Sequence, residues 1–534
     1  MSPIVPLRVV LIGFGPVGAR FAEEIVPAVA SGAIELTVVG AEPGAPYNRV
    51  RIAEFAVGRA DRDDLDLLDI DALTAAGVLI HANVHAHRID RSVRIVELGD
   101  GTRLPYDRVV LATGARARVP HLDGLERVPC QTPTDAAGDT AHSSVLDGGG
   151  ALTAGVQVLR DLDDANALRA VVAAGGRVVV LGAGVLGIEL ALMLAGAAAV
   201  PTLAHFGPAP MPRQLDRGAA WVLSASLAAA GVQVVPHTRA EAIVTRVDAD
   251  GVRRFHALVS SDGRSIEADV LVLSCGVEAR TDLATEAGLR ADAGILVDHG
   301  LRSWSDPNVY AIGDCAHIAD PATHLHDKRV PGGPSGLIGP GWRQAEWLAR
   351  AFVSDVDGAL AAPFDDELPA MVVLKSEGVE LVSAGEIAPE PFTPAPRGEV
   401  APGVAVWADE EHGAYTKMVT RDGVLTGFVS VGMPRTAAEL GVLYARRAEL
   451  PSDRSLLLRL DSAGEATRSI AGPEATVCVC NAVSAGVIEA AILDGCSSVA
   501  EVGRCTRAGT GCGSCRSRIA DMIEASGSLE TAPA

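Results

Sequence analysis

Hydrophobic and polar positions along the chain alternate between two rhythms. An unbroken apolar run, Val9 to Ile12, stops at Gly13 and passes into helical spacing; Ile34 to Val39 follows as a second apolar run. Short apolar runs bounded by glycine read as buried strands, so the order here is strand, turn, helix, strand. The same order returns at Arg177 in RVVVLGAGVLGIELALMLAG, with a further strand from Pro201 to Phe206. The longest apolar stretch, Val178 to Val200, is interrupted by Gly182, Gly184, Gly187 and Glu189, which predicts a strand and helix of a packed core, not a membrane span. Asp107–Gly114, Asp269–Gly276 and Asn308–Asp314 read as three more strands, two ending in small-residue turns and the third in a carboxylate. Residues 364–446 read as strands separated by turns, and helical stretches are expected at Ser484–Leu493, Ser497–Gly503 and Arg516–Ile523. Gly138–Gly155 is expected to be a mobile loop, Glu386–Gly403 a long hairpin connection, and Pro451–Glu474 a linker.

Composition sharpens this picture. A chain of 534 residues, 48% hydrophobic and 21% charged, buries several cores and implies three or four domains. Only 4% of residues are aromatic while 57 are glycine, which suits Val/Ala/Leu-rich parallel strands joined by tight turns. The net charge of −22 argues against nucleic acid or an anionic membrane as partner; it suits a redox partner with a basic face, or solubility alone. Only Arg8 precedes the first apolar run, which breaks at Gly13, so no secretory signal is read and a cytoplasmic location is expected.

The glycines carry the first chemistry. In Gly13-Phe-Gly15-Pro-Val-Gly18, Gly13 permits the tight turn, Gly15 lets the backbone approach a pyrophosphate and Gly18 lets helix pack on strand. Glu42, just past the second strand, is placed to accept hydrogen bonds from adenosine ribose hydroxyls. Gly182, Gly184 and Gly187 repeat the fingerprint, but His205 stands near where the ribose acid would be. A missing carboxylate removes the penalty against a 2′-phosphate and a histidine favours one; a solvated loop residue is the equal alternative, and NADH and NADPH both stay open.

Together, the two fingerprints, the turn Ala112-Thr113-Gly114, the strand ending at Gly276 and the pair Gly313-Asp314 resemble the two-dinucleotide-binding flavoproteins of the glutathione reductase type. The resemblance implies an α/β fold with two Rossmann-like domains, FAD in the first and NAD(P)H in the second. It further implies a small α+β interface domain, and contact of Gly313-Asp314 with the flavin's ribityl chain. Tyr47-Asn48-Arg49-Val50-Arg51, His205 to Asp216 (ending MPRQLD), GLIGPGWRQAEWLAR and YTKMVTRDGVLTGFVSVG are similar to the flavin portion of the assimilatory nitrite reductase large-subunit family. No CxxxxC pair stands before residue 478, so reduced flavin must pass electrons elsewhere than to an adjacent disulfide. Arg49, with Arg51 beside it, is a candidate to set positive charge near the isoalloxazine, and Glu189 to orient the nicotinamide; surface and helix-end roles are the alternatives. Trp342 either covers part of the flavin pocket or fills the core, the commoner case.

Nine cysteines are unevenly spread: Cys130, Cys275 and Cys315 stand apart, and six fall between Cys478 and Cys515. Cys478-Val-Cys480, a long spacer, then Cys512-Gly-Ser-Cys515 brings four thiolates from two loops, enough for a 2Fe–2S rhomb. Tetrahedral zinc is the competing metal, though zinc knuckles more often use paired CxxC. The segment resembles the bacterioferritin-associated ferredoxin type of 2Fe–2S module, a small helical domain; Cys496 and Cys505 fall outside its ligand pattern.

The expected layout is an FAD domain over 1–137 and 277–352, an NAD(P)H domain over 155–276, the interface domain over 364–446 and the cluster domain over 475–525. Hydride from NAD(P)H would reach FAD and leave singly through the cluster. The partner implied by the resemblance is a catalytic nitrate or nitrite reductase subunit. No other cysteine group is present to hold a 4Fe–4S cluster or sirohaem, so a stand-alone electron-transfer subunit is expected. A ferredoxin- or rubredoxin-type reductase serving an oxygenase, and a 2Fe–2S sensor or iron-release partner, are the alternatives.

Overall fold

The computed structural model describes residues 5–129, 145–146, 150–197, 199–322, 329–356, 358–359, 361–365, 371–376, 378–392, 400–461, 473, 476–478, 481, 483–511, 513 and 515–530. The chain divides into two compact units, one of Met1–Val50, Asp61–Arg116 and Val277–Glu367, the other of Arg51–Ala60, Ala117–Gly276 and Leu368–Ala534.

The first unit is built on an eight-stranded sheet among the described residues. Leu7–Ile12 pairs in parallel with Ile34–Val39 on one side and Arg108–Leu111 on the other, and Asp306–Ala311 extends the parallel set with Val309 opposite Val109. Val109, Val110 and Leu111 are completely buried, as expected for strands covered on both faces. Each such side chain contributes about 1.5–3 kcal/mol of burial free energy. Helices Pro16–Ala30 and Ile338–Val356 pack together, with Phe21 and Tyr310 edge-on to Phe352 at 5.8 and 4.8 Å between ring centroids.

In the second unit a parallel sheet, five-stranded among the described residues, is ordered Val156–Gln157, Val270–Leu273, Arg177–Leu181, Val200–Ala204, Gln233–Val235. The long apolar stretch resolves as expected into the strand Arg177–Leu181 and the helix Val185–Ala195. No described helix is long and apolar enough to cross a membrane. An antiparallel sheet, five-stranded among the described residues, runs Met371–Ser376, Val379–Gly385, Val424–Val431, Ala414–Arg421, Gly403–Asp409, with helix Pro434–Ala445 against it. The C-terminal segment pairs Thr476–Cys478 with Val483–Ser484 and adds helices Ala485–Leu493, Val499–Thr506 and Arg516–Glu530.

Two segments read as irregular are ordered in part. Gly150–Leu152, within the expected mobile loop, forms an antiparallel ladder with Arg127–Pro129, while Cys130 and residues 131–144 lie outside the described residues. The expected linker begins with structure: Ser455–Leu458 is helical, Leu457 is buried in the core of the antiparallel sheet, and Asp461 accepts from the Arg435 and Thr436 backbone N–H groups at 3.0 and 2.8 Å. That carboxylate closes the start of helix Pro434–Ala445, whose first turn has no acid of its own.

Candidate functional site

In the first unit the fingerprint glycines are held by contacts that admit no side chain. Gly13 adopts φ +108°, its N–H donates to Val39 O at 2.8 Å, and a Cβ there would lie 2.2 Å from the Ala112 carbonyl oxygen. A Cβ on Gly18 would fall 2.0 Å from Gly13 O. Gly15 caps the following helix without any side-chain cap, and what its Cβ would approach is the Arg49 guanidinium at 3.9 Å. A helix start without a side-chain cap leaves first-turn N–H groups available to an anion such as a pyrophosphate. Thr113 donates from Oγ1 to Arg280 O at 3.0 Å, and Gly114 takes φ +69°. Gly313, at φ +74°, donates its N–H to Gln344 Oε1 at 2.7 Å and lies against Val17, so Asp314 enters beside the fingerprint helix. Gln344 was not read from the sequence; the available signal was one amide on the buried face of an amphipathic helix.

Arg49 is held by two nearby side chains. It forms an ion pair with Glu42 and lies 5.2 Å over the Tyr47 ring, while the Tyr47 hydroxyl donates to Glu42 Oε2 at 2.7 Å. Its guanidinium lies beside Gly15 and the Glu42 carboxylate. Arg51 belongs to the second unit and pairs with Glu54 at 2.7 Å. Trp342 is a core residue: its indole N–H donates to Pro16 O at 3.0 Å and Arg20 stacks over the ring at 4.7 Å. Cys315 is fully buried, its thiol donating to the Leu111 and Ile312 carbonyls, and burial pushes it above the usual thiol range; it is a packing residue.

The second unit repeats the first. Gly182 takes φ +120° with a Cβ position 2.2 Å from Ser274 O, and a Cβ on Gly187 would lie 2.1 Å from Gly182 O. Gly184 caps its helix without a side-chain cap and faces open space, as does Gly276 at φ +89°. Glu189 lies half-buried on that helix. His205 is not the solvated loop residue that was one expectation: it is 5% exposed, and its Nε2 has no partner among the described residues. Burial first, then His237, lowers its pKa, so the ring is neutral where a 2′-phosphate clamp would want charge. Cys275, next to Gly276, donates to Leu181 O at 3.4 Å and is pushed up to about 11 by burial.

At the C-terminal segment, Cys478 and Cys515 are both buried in one small core with Val502 and Ile519. Cys515 precedes helix Arg516–Glu530 and its carbonyl accepts from Ile519 N–H at 2.9 Å, which sets its sulfur at the positive end of the helix dipole. Asn481 donates to Arg507 O at 2.6 Å with its Nδ2 3.8 Å from Cys478 Sγ, tying the first cysteine loop to the segment that leads to the second. Cys480 and Cys512 lie outside the described residues. Two buried thiols carried by two loops, one at a helix start with an amide beside the other, are the donor chemistry a 2Fe–2S cluster requires.

Comparisons with known proteins identify the family. Residues 7–332 match the model of the pyridine nucleotide-disulphide oxidoreductase family, and residues 476–525 match that of the BFD-like [2Fe-2S] binding domain. The nitrite reductase [NAD(P)H] of Bacillus subtilis is 29% identical over 97% of this chain and 57% of its own length. The assimilatory nitrate reductase electron transfer subunit of the same organism is 28% identical over 97% and 59%. The chain thus spans less than two thirds of these relatives. Rhodocoxin reductase of Rhodococcus erythropolis is 32% identical over 58% of this chain and 65% of its own. Among solved structures, the covalent putidaredoxin reductase–putidaredoxin complex shares the fold, with a TM-score of 0.65 at 22% identity over 84% of this chain and 95% of that one. Two glycine cradles in the order the family requires, followed by the cysteine-bearing segment, make this chain a member of the pyridine nucleotide-disulphide oxidoreductase family with a BFD-like [2Fe-2S] domain, and FAD, NAD(P)H and a 2Fe–2S cluster are its cofactors.

Proposed function

We propose that the chain is an electron-transfer component that accepts hydride from NAD(P)H and delivers electrons through its cluster domain to the catalytic part of an assimilatory nitrate or nitrite reductase. The observation that carries this reading is the extent of the likeness. The two Bacillus subtilis relatives match 97% of the chain, through the cluster domain, whereas rhodocoxin reductase matches 58%. A second reading, a reductase for a small iron–sulfur or rubredoxin-type acceptor, draws on that latter relative and its higher identity of 32%.

In the proposed roles, Gly13, Gly15 and Gly18 hold the FAD pyrophosphate with Glu42 and Arg49 at the ribose. Ala112, Thr113 and Gly114 close that site, and Gly313 and Asp314 meet the ribityl chain. Gly182, Gly184, Gly187, His205 and Gly276 receive the nicotinamide cofactor, with Glu189 orienting its ring. Arg49 acts by fixing the Glu42 carboxylate. Cys478, Cys480, Cys512 and Cys515 ligate the cluster. Bound flavin accepts two electrons at once and releases them singly, which matches a two-electron donor to a one-electron cluster. A cytoplasmic location, without nucleic acid or membrane as partner, fits the acidic surface.

The test is an anaerobic titration with NADH and then NADPH, followed by visible and EPR spectroscopy. Bleaching of the flavin band followed by the rhombic signal of a reduced 2Fe–2S centre is expected. Flavin reduction without an iron signal, in protein shown to retain its metal, would leave a plain flavin reductase and assign zinc to the cysteines. Co-purification with a molybdenum or sirohaem protein separates the first reading from the second.

A further inference from the structure

Six cysteines crowd the C-terminal segment, and the cluster accounts for four of them. The remaining two, Cys496 and Cys505, bring their sulfurs to 3.1 Å. Local structure explains the approach. Cys496 closes the end of helix Ala485–Leu493, its N–H donating to Ala491 O at 3.0 Å after the turn at Gly495, φ +106°. Ser498 then opens helix Val499–Thr506 with a reciprocal capping box to Glu501, whose Oε2 also accepts from the Ser497 N–H and hydroxyl at 2.7 and 2.9 Å. Glu501 and Cys505 are four residues apart and share one helix face, so the face locked toward 497–498 also presents Cys505 to Cys496. On the same helix Val502 is buried in the small core. Cys505 is exposed and Cys496 partly so, which leaves the pair open to small reagents.

We propose that Cys496 and Cys505 form a second redox centre of this domain, a dithiol that a low-molecular-weight disulfide converts reversibly to an intramolecular disulfide while the cluster stays in place. A covalent S–S bond is about 2.05 Å long, so closure needs roughly 1 Å of further approach. The Cys505 sulfur, as thiolate, attacks one sulfur of the reagent RSSR, forming a mixed disulfide and expelling RS⁻. The Cys496 sulfur then attacks Cys505 Sγ, forming the Cys496–Cys505 bond and expelling the second RS⁻. Two thiol protons end on the released thiols, and the pair's two electrons reduce RSSR to two RSH. Cys505 is the more exposed of the two, which fits it as the sulfur that opens the exchange. The ring so formed encloses most of the helix whose following residue, Arg507, offers the carbonyl that holds Asn481. Oxidation would therefore stiffen the support of the Cys478 loop without consuming a ligand.

The test uses the full-length holoprotein, equilibrated anaerobically with oxidised glutathione, alkylated, and mapped by mass spectrometry. Trypsin cleaves after Arg504 and separates the two cysteines, so a disulfide appears as a joined pair of peptides. The expected wild-type result is that joined pair, its loss on return to reduced glutathione, and cluster absorbance unchanged throughout. Cys496→Ser is expected to accumulate a glutathionyl group on Cys505, because nothing resolves the mixed disulfide. Wild-type protein that carries the glutathionyl group on Cys505, or that leaves both thiols open to alkylation, overturns the proposal. So does cluster absorbance that falls in step with the reaction, which would place these sulfurs among the ligands.

Discussion

Lys417 offers a measure of how much a buried charge contributes to the second unit. Its side chain is 0% exposed on the strand Ala414–Arg421, and its Nζ lies 3.1 Å from Asp216 Oδ2, itself 6% exposed, and 3.3 Å from Glu390 Oε1, 58% exposed. Asp216 also accepts from the Tyr415 hydroxyl at 2.5 Å and from the Ala219 N–H at 3.1 Å, where it caps helix Arg217–Ala229. Lys417→Met keeps the bulk and removes the charge. Breaking a buried pair from one side costs about 3–5 kcal/mol, because the remaining ion has lost its counter-charge. Asp216 keeps two neutral donors, which favours the lower end; Glu390 is solvated and adds less than about 1 kcal/mol. A loss of ~3 kcal/mol corresponds to roughly a hundredfold faster opening of that strand. Amide hydrogen exchange of the 414–421 peptide reads this directly. The double variant Lys417→Met/Asp216→Asn, with neither charge left, should recover at least half of the loss. Exchange within about fivefold of wild type in the single variant would refute the buried-charge argument. A double variant as damaged as the single would assign the loss to packing.

Gly18→Ala should yield protein without flavin absorbance, whereas Gly187→Ala should retain flavin and lose its reduction by NAD(P)H, since each methyl meets a fixed carbonyl oxygen, at 2.0 and 2.1 Å respectively. His205 is lowered in pKa on folding, so as pH falls below about 6.5 the unfolded chain takes up the proton first and stability declines. Thermal midpoints across that range should show a shallower acid slope in His205→Gln than in wild type. Tyr106 is 1% exposed, its hydroxyl has no partner among the described residues, and burial pushes it up to about 12. Tyr106→Phe should leave thermal stability unchanged or raise it by about 1 kcal/mol; a loss of that size would reveal a partner.

What could be read from the sequence is what local chemistry dictates. Gly13 and Gly182 were identifiable because their positions require positive φ and close backbone approach, conditions that leave glycine as the residue of choice. The cysteine spacing around Cys478 and Cys515 was equally local. Interactions that depend on distant partners were not readable. Asp216 and Lys417 meet across the whole span between their segments, and neither local pattern names the other. His205 ends a strand where a solvated turn is the usual neighbour, and only the packing of the sheet shows it to be enclosed. Residues 455–461 have a linker's composition, yet Leu457 fills a core and Asp461 caps a helix that begins at Pro434. Arg49 was singled out as a cation, but its ion pair with Glu42 and its place over the Tyr47 ring were not read from the spacing.

The pairing of Val109 with Val309 has a consequence for synthesis on the ribosome. The first unit is discontinuous: Arg108–Leu111 pairs with Leu7–Ile12 on one side, but acquires its other parallel neighbour only when residues 306–311 emerge. The thermodynamic toll of so long an insertion is small, since each doubling of a closed loop adds only about 0.6 kcal/mol. The delay is kinetic. At about 5–20 residues per second, the open edge of Arg108–Leu111 waits on the order of ten seconds or more, exposed to any other strand in reach. Over that interval the stretch Ala117–Gly276, whose parallel sheet is complete once residue 273 has emerged, can finish folding, so it is expected to be folded before the first unit has a finished sheet.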